Sequence, residues 1–225
     1  MLKFLGVGAA FNFKENNTSA YFIKDQTLYL FDCGEKICDK IIKDKLLEKV
    51  SDVFCFITHL HSDHIGSLEA LMYYVNNISN QKIYVFYPKK NKLTTLLKLM
   101  GVDFDFEILD DFSKVKSVTV EPVLQKHIPG SYGYFVYTDE FSFFYSGDTC
   151  KVNKRAVQEL KCGKIDRIYH EFSISLKAKI HTHLSLLTKS IPVGLRNKVY
   201  LMHYIDKRTE NEGKKAGFCI CEEEK

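Results

Sequence analysis

Residues 53–64 read VFCFITHLHSDH, a nearly unbroken apolar run that ends directly in three histidines and an aspartate. Such a run is typical of a β-strand that is covered on both faces. If packing alone explained the polar cluster, each buried histidine would need its own hydrogen-bond partner. The stretch therefore predicts metal ligation at the end of a buried strand.

The spacing of the cluster suits two adjacent metal ions. Within this segment His59 and His61 can point to one side, and Asp63 and His64 to the other. Four residues from one loop cannot complete two sites, so further ligands must follow later strands. Three residues of ligand type do follow later apolar runs: His127, Asp148 and His203. Among them, Asp148 suits a bridging position because a carboxylate has two oxygens to share between cations.

Strand and helix patterns alternate on both sides of this stretch. Short apolar runs predict strands at residues 2–7, 20–24, 28–31, 53–57, 82–86, 115–124, 132–137, 141–145, 165–169 and 198–202. Helical periodicity predicts helices at residues 35–49, 67–75, 93–100, 153–160 and 184–190. This order favours an α+β sandwich of sheets with outer helices, formed by one domain over residues 1–225 with a loosely held tail from about residue 211.

Composition excludes several classes of protein. The 225 residues carry a net charge of +4, which is too small to predict a protein that coats nucleic acid. The N-terminus has no secretory pattern, and no apolar stretch approaches the length of a membrane span, so we expect a cytoplasmic protein without membrane contact. The seven cysteines form no CxxC pair, which argues against a disulfide framework and against a cysteine zinc site.

The ligand-type residues occur in four segments: residues 58–64, His127, residues 146–149 and residues 201–203. In order and spacing these segments resemble the metallo-β-lactamase superfamily across nearly the whole chain. The resemblance implies an αββα four-layer sandwich with a dinuclear site between the sheets, for two divalent ions, zinc or alternatively manganese. One ion would be held by His59, His61 and His127, and the second by Asp63, His64 and His203, with Asp148 between them.

A second set of residues resembles the ribonuclease Z group of phosphodiesterases. These residues are GVGAAF at 6–11, NTS at 17–19, SYGY at 131–134, the pair His170 and Glu171, and His181. The resemblance implies that His181 donates a proton to the leaving group and pairs with Glu171, and Asp63 counts as catalytic as well as a ligand. His183 is an ambiguous neighbour, and both histidines could instead lie on a solvated loop before a helix.

The number of residues between two of the candidate ligands limits which members of this group the chain can resemble. Asp148 follows His127 by only 21 positions, and two strands and a turn fully occupy this interval. This leaves no room for the inserted arm that typically grips tRNA in the tRNA-processing ribonucleases. The chain then resembles small arm-less cyclic-nucleotide phosphodiesterases, including the phage anti-Pycsar enzymes. That resemblance implies a small nucleotide substrate rather than a large folded RNA. The implied reaction is hydrolysis of 3′,5′-cyclic nucleotides to 5′-monophosphates, which counters antiviral signalling. The resemblance also implies a homodimer that is located in the cytoplasm, and in the host's cytoplasm if a phage encodes the protein.

Other classes of function remain open at this point. One is a ribonuclease Z-like tRNA 3′-processing endonuclease or another RNA or DNA phosphodiesterase, and another is a hydrolase of a lactone, thioester or β-lactam. A metal-free binding module is disfavoured because every expected ligand is present. Tyr132 and Tyr134 are candidates for stacking on a base, although alternate tyrosines are also typical of sheet packing. Lysines near the motifs are candidates for phosphate contacts: Lys126, Lys151, Lys177 and Lys179.

Overall fold

Two six-stranded sheets form the centre of the computed structural model, which describes residues 1–103 and 106–224. The first sheet has the order β1 (Lys3–Gly6), β2 (Ser19–Lys24), β3 (Thr27–Phe31), β4 (Asp52–Phe56), β5 (Lys82–Phe86) and β6 (Glu107–Leu109). The second sheet contains β7 (Thr119–Leu124), β8 (Tyr132–Tyr137), β9 (Ser142–Tyr145), β10 (Arg167–Glu171), β11 (Val199–Met202) and β12 (Cys219–Ile220), again in sequence order.

Helices connect the strands and cover the outer faces of the sheets. The α-helices are α1 (Ile37–Lys43), α2 (Ser62–Ile65), α3 (Leu68–Tyr73), α4 (Lys90–Leu99), α5 (Lys154–Lys161), α6 (Leu184–Ser190) and α7 (Lys207–Lys215). Shorter helical segments are Leu46–Lys49, Phe112–Lys114 and Val193–Lys198, which are 3₁₀ helices, and Tyr74–Ile78, which is a π-helix. Among the residues that the structure describes, no helix is both long and apolar enough to cross a membrane.

Alternate side chains of β3 enter two different hydrophobic cores. Phe31 faces the second sheet, where its ring centroid lies 5.8 Å from that of Phe143 and 5.3 Å from that of Tyr145. Leu30 faces the opposite way and packs with Ile41 of α1 in the core that α1, α3 and α4 cover. Burying a large apolar side chain stabilises the fold by about 1.5–3 kcal/mol. Side chains on the two faces of β3 therefore pack against the second sheet on one side and against a helical layer on the other.

A second helical layer covers the other face of the second sheet. Helix α5 contributes Ala156 and Leu160 to the core, and α6 contributes Leu187. Helix α7 approaches the sheet at Gly213, where an added Cβ would lie 3.0 Å from the side chain of Leu201. The lack of a side chain at this position lets α7 lie close to the sheet. The result is a four-layer order of helices, sheet, sheet and helices.

Parallel strands bring the ends of both sheets to one space. Strands β3, β4 and β5 are parallel in the first sheet, as are β9, β10 and β11 in the second. The carbonyl oxygen of Thr58 accepts from the backbone N–H of Tyr132 at 2.9 Å, and that of Val7 accepts from His203 at 2.8 Å. These bonds join the two sheets at the C-terminal ends of their parallel strands. Polar residues that follow those strands therefore face a common space.

The predicted helix over residues 35–49 was too long. Helix α1 ends at Lys43, and the next residues form the 3₁₀ helix Leu46–Lys49. Lys45 between them has a left-handed backbone with φ of 54°, which ends the regular hydrogen-bond pattern. The periodicity of the apolar residues continued across this break, so the sequence pattern did not reveal it.

The predicted loose tail from about residue 211 also differs from the structure. This segment contains the C-terminal part of α7 and all of β12, and β12 pairs with β11 as an added parallel strand. The backbone N–H of Glu224 donates to the carbonyl oxygen of Phe4, and the Glu224 carboxylate accepts from Tyr21. Polar composition suggested a solvated tail, but backbone pairing holds this segment against the N-terminal strand. Lys225 lies outside the described residues.

Candidate metal centre

The loop after β4 supplies four of the candidate ligands. His59 and His61 lie in the extended segment after the strand, whereas Asp63 and His64 lie on the short helix α2. The extended segment therefore ends at His61 and does not include the second pair. A helical turn that begins at Ser62 carries the second pair away from the first. The two pairs nevertheless join different clusters.

The first cluster contains three imidazole rings and one carboxylate. His61 Nδ1 lies 2.9 Å from His59 Nε2 and 3.2 Å from His127 Nε2. Asp148 Oδ2 lies 3.9 Å from His59 Nε2 and 3.7 Å from His127 Nε2. A single proton cannot satisfy three converging ring nitrogens, whereas one cation can accept all three lone pairs.

Burial favours the neutral form of two imidazoles of this cluster. Burial, aided by the charge of His64, holds the pKa of His59 well below its usual value. Burial likewise lowers the pKa of His127. The neutral imidazole has a free lone pair, and this lone pair is what a cation requires. The first cluster is therefore prepared for a cation rather than for protons.

The outward nitrogens of two of these rings are anchored. His59 Nδ1 lies 3.1 Å from the hydroxyl oxygen of Thr58, and His127 Nδ1 donates to the carbonyl oxygen of Ile180 at 3.0 Å. A hydrogen bond at one ring nitrogen fixes the orientation of the ring and leaves the other nitrogen free to bind. Both anchors therefore direct Nε2 toward the centre of the cluster.

The second cluster combines two histidines with two carboxylates. Asp63 Oδ2 lies 3.4 Å from His64 Nε2 and 3.2 Å from His203 Nε2. Asp148 Oδ1 lies 3.5 Å from His64 Nε2, and Asp148 Oδ2 lies 3.5 Å from His203 Nε2. Ligand-type atoms of all four residues lie within 4.8 Å of one another. Asp148 is the residue that belongs to both clusters.

His64 shows that the second cluster attracts positive charge. Its Nε2 atom is buried and has no hydrogen-bond partner among the residues that the structure describes. Burial alone would lower the pKa of His64, but the carboxylates of Asp148, Asp32 and Asp63 outweigh burial and raise this pKa well above its usual value. A cation beside Nε2 would supply the positive charge and use the unpartnered lone pair.

Asp32 is a functional residue that the sequence reasoning missed. It follows β3 and is fully buried, and its carboxylate accepts from the Thr58 backbone N–H at 2.7 Å. Its Oδ2 lies 2.8 Å from His64 Nδ1 and thereby orients that ring. A carboxylate behind a ligating histidine fixes the tautomer and makes the ring a stronger ligand. The position of Asp32 gave a signal, since Asp32 directly follows β3, whereas Asp148 lies three residues after the end of β9.

Two of the residues that follow these strands have a strained backbone. Asp32 has φ of 62° and His203 has φ of 60°, which are left-handed values that non-glycine residues rarely adopt. Gly147 beside Asp148 has φ of 55°, and an added Cβ there would lie 2.6 Å from the carbonyl oxygen of Tyr132. Strain of this kind persists where the surrounding structure imposes it, and it clusters at functional sites.

The pair predicted for proton transfer lies beside the two clusters. His181 Nδ1 is 3.4 Å from Glu171 Oε2 and 3.9 Å from Asp148 Oδ2. The other carboxylate oxygen of Glu171 accepts from the backbone N–H groups of Thr149, at 3.2 Å, and Thr182, at 2.7 Å. These two bonds fix the Glu171 carboxylate so that its second oxygen faces His181. Burial would lower the pKa of His181, but the nearby carboxylate of Glu171 outweighs burial and raises it.

The ambiguity between His181 and His183 is resolved by their surroundings. His183 is the N-cap of α6, where its Nδ1 accepts from the backbone N–H of Ser185 at 3.2 Å. Its Nε2 donates to the carbonyl oxygen of Ile174 at 3.2 Å. Both nitrogens of His183 are therefore used in local structure, whereas His181 borders the site.

A cleft of about 610 Å³ opens over the two clusters. His61, Asp63, Asp148, His181 and His203 all line it. Of the four candidate lysines, all of which the structure describes, Lys177 alone lines this cleft. Neither candidate tyrosine does so. These positions are explained by packing: Tyr134 is fully buried with its hydroxyl donating to the carbonyl oxygen of Ile57, and Tyr132 packs against Tyr87.

Comparison with known families identifies the chain. The family described as "Anti-Pycsar protein Apyc1" matches residues 1–224. The chain belongs to this family. One member of the anti-Pycsar family, from Paenibacillus sp. (strain J14), is 29% identical over 225 residues, which cover 91% of this chain and 89% of the relative. The predicted resemblance to the arm-less anti-Pycsar group is confirmed.

Solved structures confirm the fold of this anti-Pycsar family chain. A diphosphatase of the PhnP family superposes with a TM-score of 0.74 at 16% identity and covers 99% of this chain and 94% of its own. Human tRNase Z, short form, superposes with a TM-score of 0.68 at 21% identity and covers 92% of this chain and 93% of its own. The predicted metallo-β-lactamase fold of α+β type is therefore confirmed, as is the likeness to ribonuclease Z.

Proposed function

We propose that the chain is a dinuclear metal-dependent phosphodiesterase that hydrolyses 3′,5′-cyclic nucleotides to 5′-monophosphates. The observation that carries this proposal is the pair of ligand clusters that share Asp148 beneath one cleft, with His181 at its side. One divalent ion would be held by His59, His61 and His127, and the second by Asp63, His64 and His203, with Asp148 common to both.

The donor set supports two divalent cations of the zinc type, with manganese as the alternative. Imidazole nitrogens and carboxylate oxygens suit both ions, and the unpartnered His64 Nε2 fits a ligand atom better than a buried polar atom without function. When bound, two such cations lower the pKa of a water molecule and screen the negative charge of a phosphodiester. Asp63, as a ligand beside the reacting centre, is proposed as part of the catalytic group.

Protein side chains would supply the remaining charge and the proton. Glu171 Oε2 faces His181 Nδ1 at 3.4 Å, which leaves Nε2 of His181 as the nitrogen that can donate to the departing 3′ oxygen. Lys177 lines the cleft and can help to neutralise the phosphate. His181 is proposed as the general acid and Glu171 as the residue that positions it.

The size of the cleft and the short hairpin support a small substrate. A volume of about 610 Å³ falls in the range of sites for small molecules. Strands β8 and β9 are joined by the four residues 138–141, so the interval between His127 and Asp148 contains no inserted arm. Membership of the anti-Pycsar family supports a cyclic nucleotide as this substrate, hydrolysed in the cytoplasm to remove an antiviral signal.

A substrate screen tests this proposal. The metal-loaded protein is incubated with 3′,5′-cyclic mononucleotides, cyclic dinucleotides and a precursor tRNA, and the products are separated by chromatography. We expect nucleoside 5′-monophosphates from the cyclic mononucleotides and intact precursor tRNA. Cleavage of the tRNA at its 3′ end with no turnover of any cyclic nucleotide would instead favour the ribonuclease Z-like activity.

A homodimer is part of the proposal and rests on the resemblance to arm-less relatives. A twofold dimer is the commonest oligomer, and a partner subunit could help to close a shallow site. Light scattering of the metal-loaded protein at micromolar concentration should give twice the mass of 26.1 kDa. A monomer mass under these conditions would remove the dimer from the proposal and leave the chemistry untouched.

A further inference from the structure

Three exposed apolar side chains line the cleft above the proposed metal centre. Phe11 is 74% exposed, and Ile180 and Ile205 are 44% and 50% exposed. Exposed apolar side chains that gather in one cleft mark a surface for an apolar partner. Among the three, only Phe11 presents a flat aromatic face.

The loop that carries Phe11 is fastened to the site. The carbonyl oxygen of Tyr204, the residue after His203, accepts from the backbone N–H of Ala9 at 3.2 Å and from Asn12 Nδ2 at 3.0 Å. The side-chain oxygen of Asn12 in turn accepts from the backbone N–H groups of the next turn, at Lys14 and Glu15. Phe11 therefore lies in a turn whose position is set by the chain that supplies a proposed metal ligand. A contact surface that is ordered in advance binds with a smaller entropic cost.

We propose that Phe11 forms the base-binding surface of the cleft by stacking on the nucleobase of the substrate. This inference rests on the proposed function, in which the reacting phosphate lies at the ligand clusters and the base extends into the cleft. Every nucleobase has a flat face that can stack on an aromatic ring, so this contact tolerates different bases. Phe11 thus accounts for base binding after the burial of Tyr134 and the packing of Tyr132 remove the two tyrosine candidates.

The same loop offers a matched control. Phe13 is 84% exposed but does not line the cleft. A substitution at Phe13 changes the apolar surface of this loop by the same number of atoms without removing the proposed stacking surface. Differences between variants at the two positions therefore report on the cleft.

Kinetics with two substrates test the stacking contact. Phe11→Ala, Phe11→Trp and Phe13→Ala are compared on a 3′,5′-cyclic mononucleotide and on the same cyclic sugar phosphate without a base. For Phe11→Ala we expect KM for the nucleotide to rise on the order of 10- to 100-fold with kcat nearly unchanged. Phe11→Trp should keep KM near that of the wild type, and the base-free substrate should not distinguish the variants.

Two kinetic outcomes would overturn the proposal. An unchanged KM in Phe11→Ala would show that the ring does not contact the base. Equal losses on the nucleotide and on the base-free substrate would show that Phe11 supports the loop or the centre. Light scattering of each variant gives a third outcome that would overturn the proposal. If Phe11→Ala alone dissociates a dimer, a second copy of the chain covers this ring.

Fluorescence separates this proposal from the proposed function. The chain contains no tryptophan, so Phe11→Trp and Phe13→Trp each introduce a single fluorophore. Addition of nucleoside 5′-monophosphates should quench the Phe11→Trp variant saturably and leave the Phe13→Trp variant unchanged. If the wild type hydrolyses no cyclic nucleotide, the proposed function fails, yet this quenching still supports a base-binding surface. Absence of quenching with every nucleotide would refute that surface whatever the activity.

Discussion

The two halves of the proposed metal centre share Asp148 but differ in charge. The first half consists of three histidines, and burial lowers the pKa of both His59 and His127. The second half adds the carboxylate of Asp63 to two histidines, and the surrounding carboxylates, Asp32 included, outweigh burial to raise the pKa of His64. The first half therefore resembles a set of neutral ligands, whereas the second half requires a positive charge to offset its carboxylates.

The difference arises from what lies behind each set of rings. In the first half, uncharged groups anchor His59 and His127: the hydroxyl of Thr58 and the carbonyl of Ile180. In the second half, the carboxylate of Asp32 anchors His64. An anionic anchor increases the basicity of the ring and its strength as a ligand. Two ions bound a short distance apart would therefore experience different electrostatic fields.

Removal of the shared residue should have the largest effect. In Asp148→Ala both clusters lose a ligand, so we expect turnover of a cyclic nucleotide to fall by on the order of 10⁴ or more. Elemental analysis should show fewer than two metal ions per chain, and circular dichroism should show a folded protein. The matched control is Asp139→Ala, at an exposed aspartate that pairs with Lys24 outside the two clusters. Near wild-type turnover in Asp148→Ala would contradict the shared role and the dinuclear centre.

The clustering of the candidate ligands could be predicted from the sequence because most of the information about these residues is local. His59, His61, Asp63 and His64 lie within six residues after an apolar run, and the later ligands each follow another run. Because the strands are parallel, the residues that follow them lie near one another, and no further sequence signal is needed. The αββα fold followed from the same order of strands and helices, together with the family resemblance.

Features that depend on contacts between distant residues could not be predicted in this way. Asp32 and Thr58 are 26 residues apart and meet only because β3 and β4 are paired in parallel. The helical turn at Ser62 and the left-handed Lys45 are local, but no apolar pattern marks either of them. The ordered segment of Glu224 depends on pairing with Phe4 at the opposite end of the chain.

The next largest effect should come from substitution of His181, which lies beside both halves and belongs to neither proposed ligand set. In His181→Ala we expect both metal ions to remain and turnover of a cyclic nucleotide to fall about 10²- to 10⁴-fold, the usual contribution of a general acid. A p-nitrophenyl phosphodiester should lose much less, because its leaving group departs without a proton. His183→Ala is the control, since that ring caps α6 and should change stability by about 1 kcal/mol but not the rate. Equal losses on the two substrates would show that His181 acts in another way.

The smallest effect should come from substitution of Asp32, and it should be confined to the second half of the proposed centre. In Asp32→Asn the amide oxygen can still accept from the Thr58 N–H, but the amide nitrogen then donates to His64 Nδ1 and places the ring proton on Nε2. That proton occupies the lone pair that the second ion needs. A two-site metal titration by calorimetry should therefore show one affinity lowered about 10- to 100-fold and the other unchanged. If both affinities fell together, Asp32 would support the whole loop through Thr58, and the two halves would not be separable in the way their charges indicate.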